Sequence, residues 1–317
     1  MKSQEPKIVS IGGGTGLSTL LRGLKKAAVD LSVIVTVTDD GGSSGRLREE
    51  LRVLPPGDIR NCMIALSEDE HLMSHLFRFR FNSEGGLHDH SFGNLFLTAM
   101  AGVTGDFAVA VRLTSEVLAI KGVIYPCTNS NVHLRAELED GSWVEGETRI
   151  TGQRKRIRRV QLDPPDARPL PDALGAIASA DLITIGPGSL YTSLIPNMLV
   201  QEVIGALRTS RALKIYIQNI MTQPGETGGY SAADHIQALA EHSDGILFPN
   251  VLLNDELPSA EMLKPYEAEG AALVEIDRDR LKKFGLNIME RQLLSQDGKI
   301  RHDPDRLAMA VLEMANL

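Results

Sequence analysis

The chain has 317 residues, 43% of them hydrophobic and 23% charged, enough for a sizeable core in one large α/β unit or two modest domains. Lys and Arg number 33 against 41 Asp and Glu, and the resulting net charge of -8 argues against broad binding to nucleic acid or to an anionic membrane, though not against a local anion site. Cys62 and Cys127 stand in no CxxC pair, so a disulfide scaffold and a structural zinc site are not expected, and no export signal or 18-residue apolar run is legible; a cytoplasmic protein without membrane insertion is the expectation.

Residues 7–11 (KIVSI) read as a buried strand. GGGTG at 12–16 then leads into LSTLLRGLKKA, where Leu17, Leu20, Leu21 and Leu24 recur at helical spacing. The β-branched run 31–37 ends at Thr38, Asp39 and Asp40 and completes a βαβ unit, which predicts a parallel sheet. Residues 41–46 (GGSSGR) are too polar and glycine-rich for core and read as a turn. Helices are expected at 59–65, 68–81, 95–103 and 107–120, with a glycine-rich loop at 82–94.

A strand at 122–126 precedes three short pieces at 132–138, 143–147 and 157–162, which predict a small antiparallel insertion over 129–162. The turn set 163–174 leads to AIASA, to the strand DLITIG and to a second glycine loop at 186–191. Further on, a helix is expected at 196–207, a strand at 212–218, a long loop at 219–229, a helix at 231–242 and a strand at 245–248. Short segments and a terminal helix follow, so that 1–317 reads as one α/β domain with 251–317 as a C-terminal extension packed on the core.

Glycines at a strand-to-helix junction let a ligand approach the main chain at the positive end of the helix, so Gly12, Gly13, Gly14, Thr15 and Gly16 suit a phosphate. Only Gly12 and Gly14 fall on the glycine positions of G-x-G-x-x-G, the third being Leu17, and no GK[ST] follows; neither a standard NAD site nor a Walker loop is established. Asp39 and Asp40, at the carboxyl end of the second strand, could accept ribose hydroxyls, hold magnesium, act as a base, or merely cap a turn. Ser43 and Ser44 could form a second anion nest with Arg46 beside it, and Asp58 and Arg60 follow the Pro-Pro-Gly turn as further candidates.

His88, Asp89 and His90 lack a third ligand for zinc and suit a polar pocket better than a metal, with Ser91, Gly93 and Asn94 at the next helix start. Gly186, Pro187, Gly188 and Ser189 repeat the strand-to-loop pattern. The string G-P-G-S-L is no nucleophile elbow, so hydrogen bonding by Ser189 is expected, not covalent catalysis. Asn219 and the loop 222–227 could close over the same cleft. The basic run 154–159 reads as the solvated face of an insertion strand, and Trp143 and Tyr125 as packing residues; both cysteines read as inert.

The strings IGGGTGLSTLLRGLK, TVTDDGGSSGRLR, LPPGDIRNC, HSFGNL, IGPGSLYTSLIPN and NIMTQPGET together resemble the YvcK-like gluconeogenesis factors, a branch of the CofD-like superfamily, over nearly the whole chain. The resemblance implies a modified Rossmann-like α/β fold, with a mostly parallel sheet, flanking helices and a small β-rich insertion. It also implies a regulator that binds UDP-sugars and supports cell shape and wall synthesis on gluconeogenic carbon sources, with UDP-N-acetylglucosamine or UDP-glucose as ligand and a cell-wall-synthesis protein as partner.

The related CofD branch implies the alternative, a magnesium-dependent transferase using a nucleotide-activated donor. Carried across, residues 12–17 would contact the diphosphate, Asp39 and Asp40 would help place metal and acceptor, and Asn94 with residues 186–189 would complete the cleft. Residues 41–46 and the turn 55–58 follow the YvcK-like pattern and do not resemble a deazaflavin-binding loop. In the leading reading Asp40, Ser44 and Asn94 hold the uridine or sugar hydroxyls, and no catalytic residue is assigned. A homodimer is the general expectation for a soluble assembly.

Overall fold

The computed structural model describes residues 5–82 and 84–317. The first four residues of the segment read for an export signal, and Ser83 in the 82–94 loop, lie outside them. Strand β1 (Lys7–Gly12) is buried on both faces from Ile8 onward, as a strand covered by helices on both sides is, and passes through Gly13 into α1 (Gly14–Leu24), whose four predicted leucines are all fully buried. β2 (Asp30–Val35) lies parallel to β1 in register from Lys7↔Asp30 to Gly12↔Val35. Helices α2 (Gly42–Leu51), α3 (Gly57–Leu66), α4 (Glu70–Arg78), α5 (Phe92–Thr104) and α6 (Phe107–Val117) then intervene before β3 (Val123–Pro126).

The antiparallel insertion is present: β4 (His133–Leu138), β5 (Trp143–Glu145) and β6 (Ile157–Asp163) pair in the order β5-β4-β6, with the short α7 (Glu147–Gly152) between the last two in sequence. The βα alternation resumes with α8 (Pro171–Ser179), β7 (Leu182–Ile185), a π turn at Leu190–Leu194, α9 (Ile195–Leu199), α10 (Val203–Thr209), β8 (Leu213–Ile217) and α11 (Ala232–His242). The chain finishes with β9 (Asn250–Asn254), α12 (Ala260–Glu269), α13 (Arg278–Lys283), β10 (Asn287–Arg291) and α14 (Pro304–Ala315).

Among the described residues the main sheet has seven strands in the order β3-β2-β1-β7-β8-β9-β10, and every pairing is parallel. The strand order reverses between β1 and β7, and at such a switch point the loops leaving the two carboxyl ends diverge and open a crevice. The loops in question are the two glycine loops. No single helix among the described residues is long and apolar enough to cross a membrane.

Four local expectations change. Residues 42–46 form the first turns of α2 and not a loop: Ser43 and Ser44 are buried, so tertiary packing overrides a string with no helical periodicity. The helix expected at 196–207 breaks after Leu199, where Glu202 takes a φ of 69° before α10 begins. Residues 245–248 are not a strand; Gly245 has a φ of 121°, and Leu247 and Phe248 enter the core without pairing, Phe248 lying 5.0 Å from Tyr216. The segment 251–317 does more than pack on the core, because β9 and β10 extend the same sheet and α14 lies against α1, so close that a Cβ on Gly23 would collide with the Pro304 carbonyl.

Candidate functional site

β1 delivers Gly12 to the switch point, where Gly14 has a φ of 67°, in the left-handed region that favours glycine. The Gly14 amide donates to Asp58 Oδ2 at 2.8 Å, and a Cβ on Gly13 would come within 2.6 Å of that same oxygen. At Gly16 the first loop meets the second: a Cβ there would sit 2.7 Å from the Pro187 carbonyl oxygen. Asn219 clamps the second loop, accepting from the Gly188 amide at 3.1 Å and donating to its carbonyl at 2.7 Å, while Ser189 Oγ donates to Gln223 Oε1 at 2.7 Å. Two glycine loops and the 219–223 segment are thereby fixed against one another.

They enclose a cleft of about 540 Å³ lined by Gly13, Gly14, Thr15 and Gly16, by Pro187, Gly188 and Ser189, and by Asn219 with the residues that follow it. Gly12, Leu17 and Gly186 stand behind this lining; the Gly12 carbonyl accepts from Thr36 N and Asn197 Nδ2, both at 3.1 Å, and Leu17 is core. Three arginines supply positive charge. Arg22 pairs with Glu70 and Arg301 with Asp297, whereas the exposed Arg78 has no ion-pair partner among the described residues. The backbone amides at the start of α1 carry the positive end of the helix dipole into the same space.

The other predicted site residues gather beside the cleft and outside its lining, at the carboxyl end of β2. Asp39 Oδ1 accepts from the Gly41 amide at 2.9 Å, and Asp40 Oδ1 from Thr148 N at 2.9 Å and Thr148 Oγ1 at 2.7 Å. Ser43 Oγ meets His90 Nδ1 at 2.9 Å, and Asn94 Nδ2 donates to Ser44 Oγ at 3.4 Å. Arg60 donates to Ser91 Oγ at 2.7 Å and to Asn94 Oδ1 at 2.8 Å, and Arg46 donates to the His88 carbonyl at 2.7 Å. Each of these side chains therefore already has a protein partner.

Carboxylates crowd this region. Desolvation, reinforced by the charge of Asp39, raises Asp58 to about 6, and desolvation likewise raises Asp39 and, with the charges of Asp39 and Asp58, Glu147. Glu226 is raised by burial to about 7 although it accepts from Tyr191 N at 3.1 Å, Thr192 Oγ1 at 3.0 Å and Gln223 Nε2 at 2.9 Å. No three His, Cys, Asp or Glu side chains among the described residues are arranged to hold a metal, the 88–90 cluster included. Both thiols are buried and pushed up by desolvation, Cys127 to about 12.

Sequence reasoning found Thr15, Ser189, Asn219 and the loop from Thr222 but missed the charged part of the lining and Ser18. Ser18 and Arg22 lie four residues apart on the face of α1 opposite its leucines, a spacing that marks one helix face and would have found Arg22. Arg78, Arg301 and His302 arrive from α4 and from the segment before α14, and no local pattern announces them. His302 is buried, its imidazole is pushed down by desolvation to about 4, and its Nε2 has no partner among the described residues.

Residues 8–294 match the family described as 2-phospho-L-lactate transferase CofD. The chain belongs to the CofD family. This CofD-family chain is 48% identical over 312 residues to the gluconeogenesis factor of Bacillus subtilis, covering 98% of each chain. It is 47% identical over 311 residues to the gluconeogenesis factor of Halalkalibacterium halodurans, covering 98% of this chain and 97% of that one. The crystal structure of a Bacillus halodurans protein, 46% identical, superposes with a TM-score of 0.95 over 98% of this chain and 100% of its own.

Proposed function

We propose that this CofD-family protein is a cytoplasmic regulator that binds UDP-N-acetylglucosamine or UDP-glucose, the diphosphate lying between the two glycine loops. The single observation that carries the reading is the juxtaposition at the switch point of the α1 amino terminus, the Gly188–Ser189 loop and Arg78, which has no ion-pair partner among the described residues. A diphosphate supplies the charge that Arg22, Arg78 and Arg301 favour, and Thr222, Tyr266 and His302 offer polar groups to the hydroxyls of an attached sugar. The relatives' name, gluconeogenesis factor, supports a role in growth on gluconeogenic carbon sources, and the reading extends to cell shape, wall synthesis and a cell-wall-synthesis partner. A sensor needs different affinities in two states and no bond-making centre, which suits a cleft whose neighbouring carboxylates are engaged with the protein.

The description of the family as a 2-phospho-L-lactate transferase favours a second reading, group transfer from a nucleotide-activated donor, and burial raises Asp58 to about 6 and Glu226 to about 7, as suits acid–base groups. Neither lines the cleft. The Asp39–Asp40 pair does not fit a magnesium serving this cleft, because the two lie outside its lining and no third His, Cys, Asp or Glu among the described residues joins them to hold a metal. Calorimetric titration with UDP-N-acetylglucosamine and UDP-glucose, with and without magnesium and with a product assay on the same samples, separates the readings. Binding without turnover is the expected result; nucleotide consumption that depends on magnesium would establish the transferase instead, and no heat with any UDP-sugar would overturn the sensor.

A further inference from the structure

Asn219 and Ile220 line two spaces. Beyond them the cleft adjoins a second cavity of about 520 Å³ at the carboxyl ends of β8 and β9. Its walls are largely apolar, from Ile220, Leu253, Leu273, Val274 and Ile276, and they are tied together: Met221 bridges to Leu273, and the Val274 amide donates to the Ile220 carbonyl at 3.0 Å. The charged residues that line it are Asp255, Glu256, Glu275 and Arg278; Glu256 pairs with Arg306 at 3.1 Å and Arg278 with Glu290, its Nε 2.9 Å from Oε1, which leaves Asp255 and Glu275 without an ion pair among the described residues. Such a space disfavours a phosphate and suits a flat, uncharged ring, whereas the first cleft, with Tyr266, Glu269 and His302, suits a hydroxylated sugar.

One polar group in this cavity lacks a partner. Gln218 is only 3% exposed; its Nε2 donates to the Asn219 carbonyl at 3.4 Å, which orients the amide and leaves Oε1 without a hydrogen bond among the described residues. A buried acceptor in that state is costly until a donor meets it. We propose that the second cavity takes the pyrimidine base of the nucleotide, the ring lying among Ile220, Leu273 and Ile276 and its imide N–H donating to Gln218 Oε1. The assignment rests on the nucleotide-sugar reading above. It makes Gln218 a specificity determinant, because uracil presents a donor at ring position 3 where cytosine presents an acceptor, and an acceptor facing Oε1 is repelled. Gln218 is also well placed along the chain, since its neighbour Asn219 holds the loop that flanks the diphosphate.

The test is calorimetry of the full-length wild-type protein with UDP, CDP and N3-methyl-UDP, repeated on Gln218→Met after its fold is checked by circular dichroism. Wild type is expected to bind UDP at least about tenfold more tightly than either analogue, and the variant to bind all three within about twofold of one another. Equal binding of UDP and N3-methyl-UDP by wild type overturns the base assignment while leaving the nucleotide reading intact, and needs no variant. Undiminished discrimination by Gln218→Met overturns the role of Gln218. No binding of UDP at all overturns the nucleotide reading itself, and the base assignment with it.

Discussion

The carboxyl ends of β1 and β2 lie on neighbouring strands and both run into glycine-rich turns, yet they serve opposite ends. After β1, the first turn of α1 faces Gly188 and Ser189 across a cleft to which Arg78 brings a charge with no ion pair among the described residues. After β2, Asp39, Asp40, Ser43 and Ser44 are all engaged by Gly41, Thr148, His90 and Asn94. Residue types that bind ligands are present in both places. Gly14 N, Gly188 N and Ser189 Oγ also hold protein partners, in Asp58, Asn219 and Gln223, so what distinguishes the β1 side is the open cleft itself and Arg78, which has no ion-pair partner among the described residues.

The comparison breaks most sharply at Gly16, where the first loop touches the backbone of the second and neither can yield. Gly16→Val is expected to destabilise the fold by about 3 kcal/mol, the upper end for overpacking, and to abolish nucleotide binding, as measured by urea denaturation and calorimetry. Next comes the charge strain around β2. Asp58 is raised from 3.8 to about 6, so the folded state keeps a proton that the unfolded chain has released; stability from this source is complete below about pH 4 and is lost as the pH rises through 6. Asp58→Asn, which can still accept from Gly14 N, is expected to recover on the order of 2 kcal/mol at pH 8 and little at pH 4, so that parallel stability curves for the two proteins would contradict the account.

Arg78→Ala removes an exposed charge that forms no ion pair among the described residues. It is expected to weaken UDP-N-acetylglucosamine binding about tenfold and to flatten its salt dependence without moving the thermal midpoint. The smallest effect is expected at Asp40→Ala, which frees Thr148 N and Oγ1 at the start of α7. A loss of about 1 kcal/mol in stability should accompany unchanged nucleotide affinity, and a large loss of affinity would place Asp40 in the site after all.

Much of this arrangement is legible in the sequence. Strand, glycine turn and leucine-spaced helix identify the unit 7–37, and the second glycine loop after DLITI identifies the partner strand across the switch point. The antiparallel insertion is readable from its turn residues. α2 is not, because GSSGRLREEL has neither apolar periodicity nor a side-chain cap and is held by burial of Ser43 and Ser44. β10 is missed for a related reason: it closes the edge of the sheet, its residues are only partly buried, and no alternation or apolar run marks it. Arg78, Arg301 and His302 are brought to the site by tertiary packing alone, and single-sequence spacing carries no trace of such convergence.

Hydrogen–deuterium exchange of the full-length protein, with and without saturating UDP-N-acetylglucosamine, tests the division between the two strand ends most directly. The account predicts ligand-induced protection at 13–22, 187–189, 218–224 and 300–302, with exchange at 39–46 and 146–148 unchanged. Protection centred on 39–46, with the glycine loops unaffected, would contradict it.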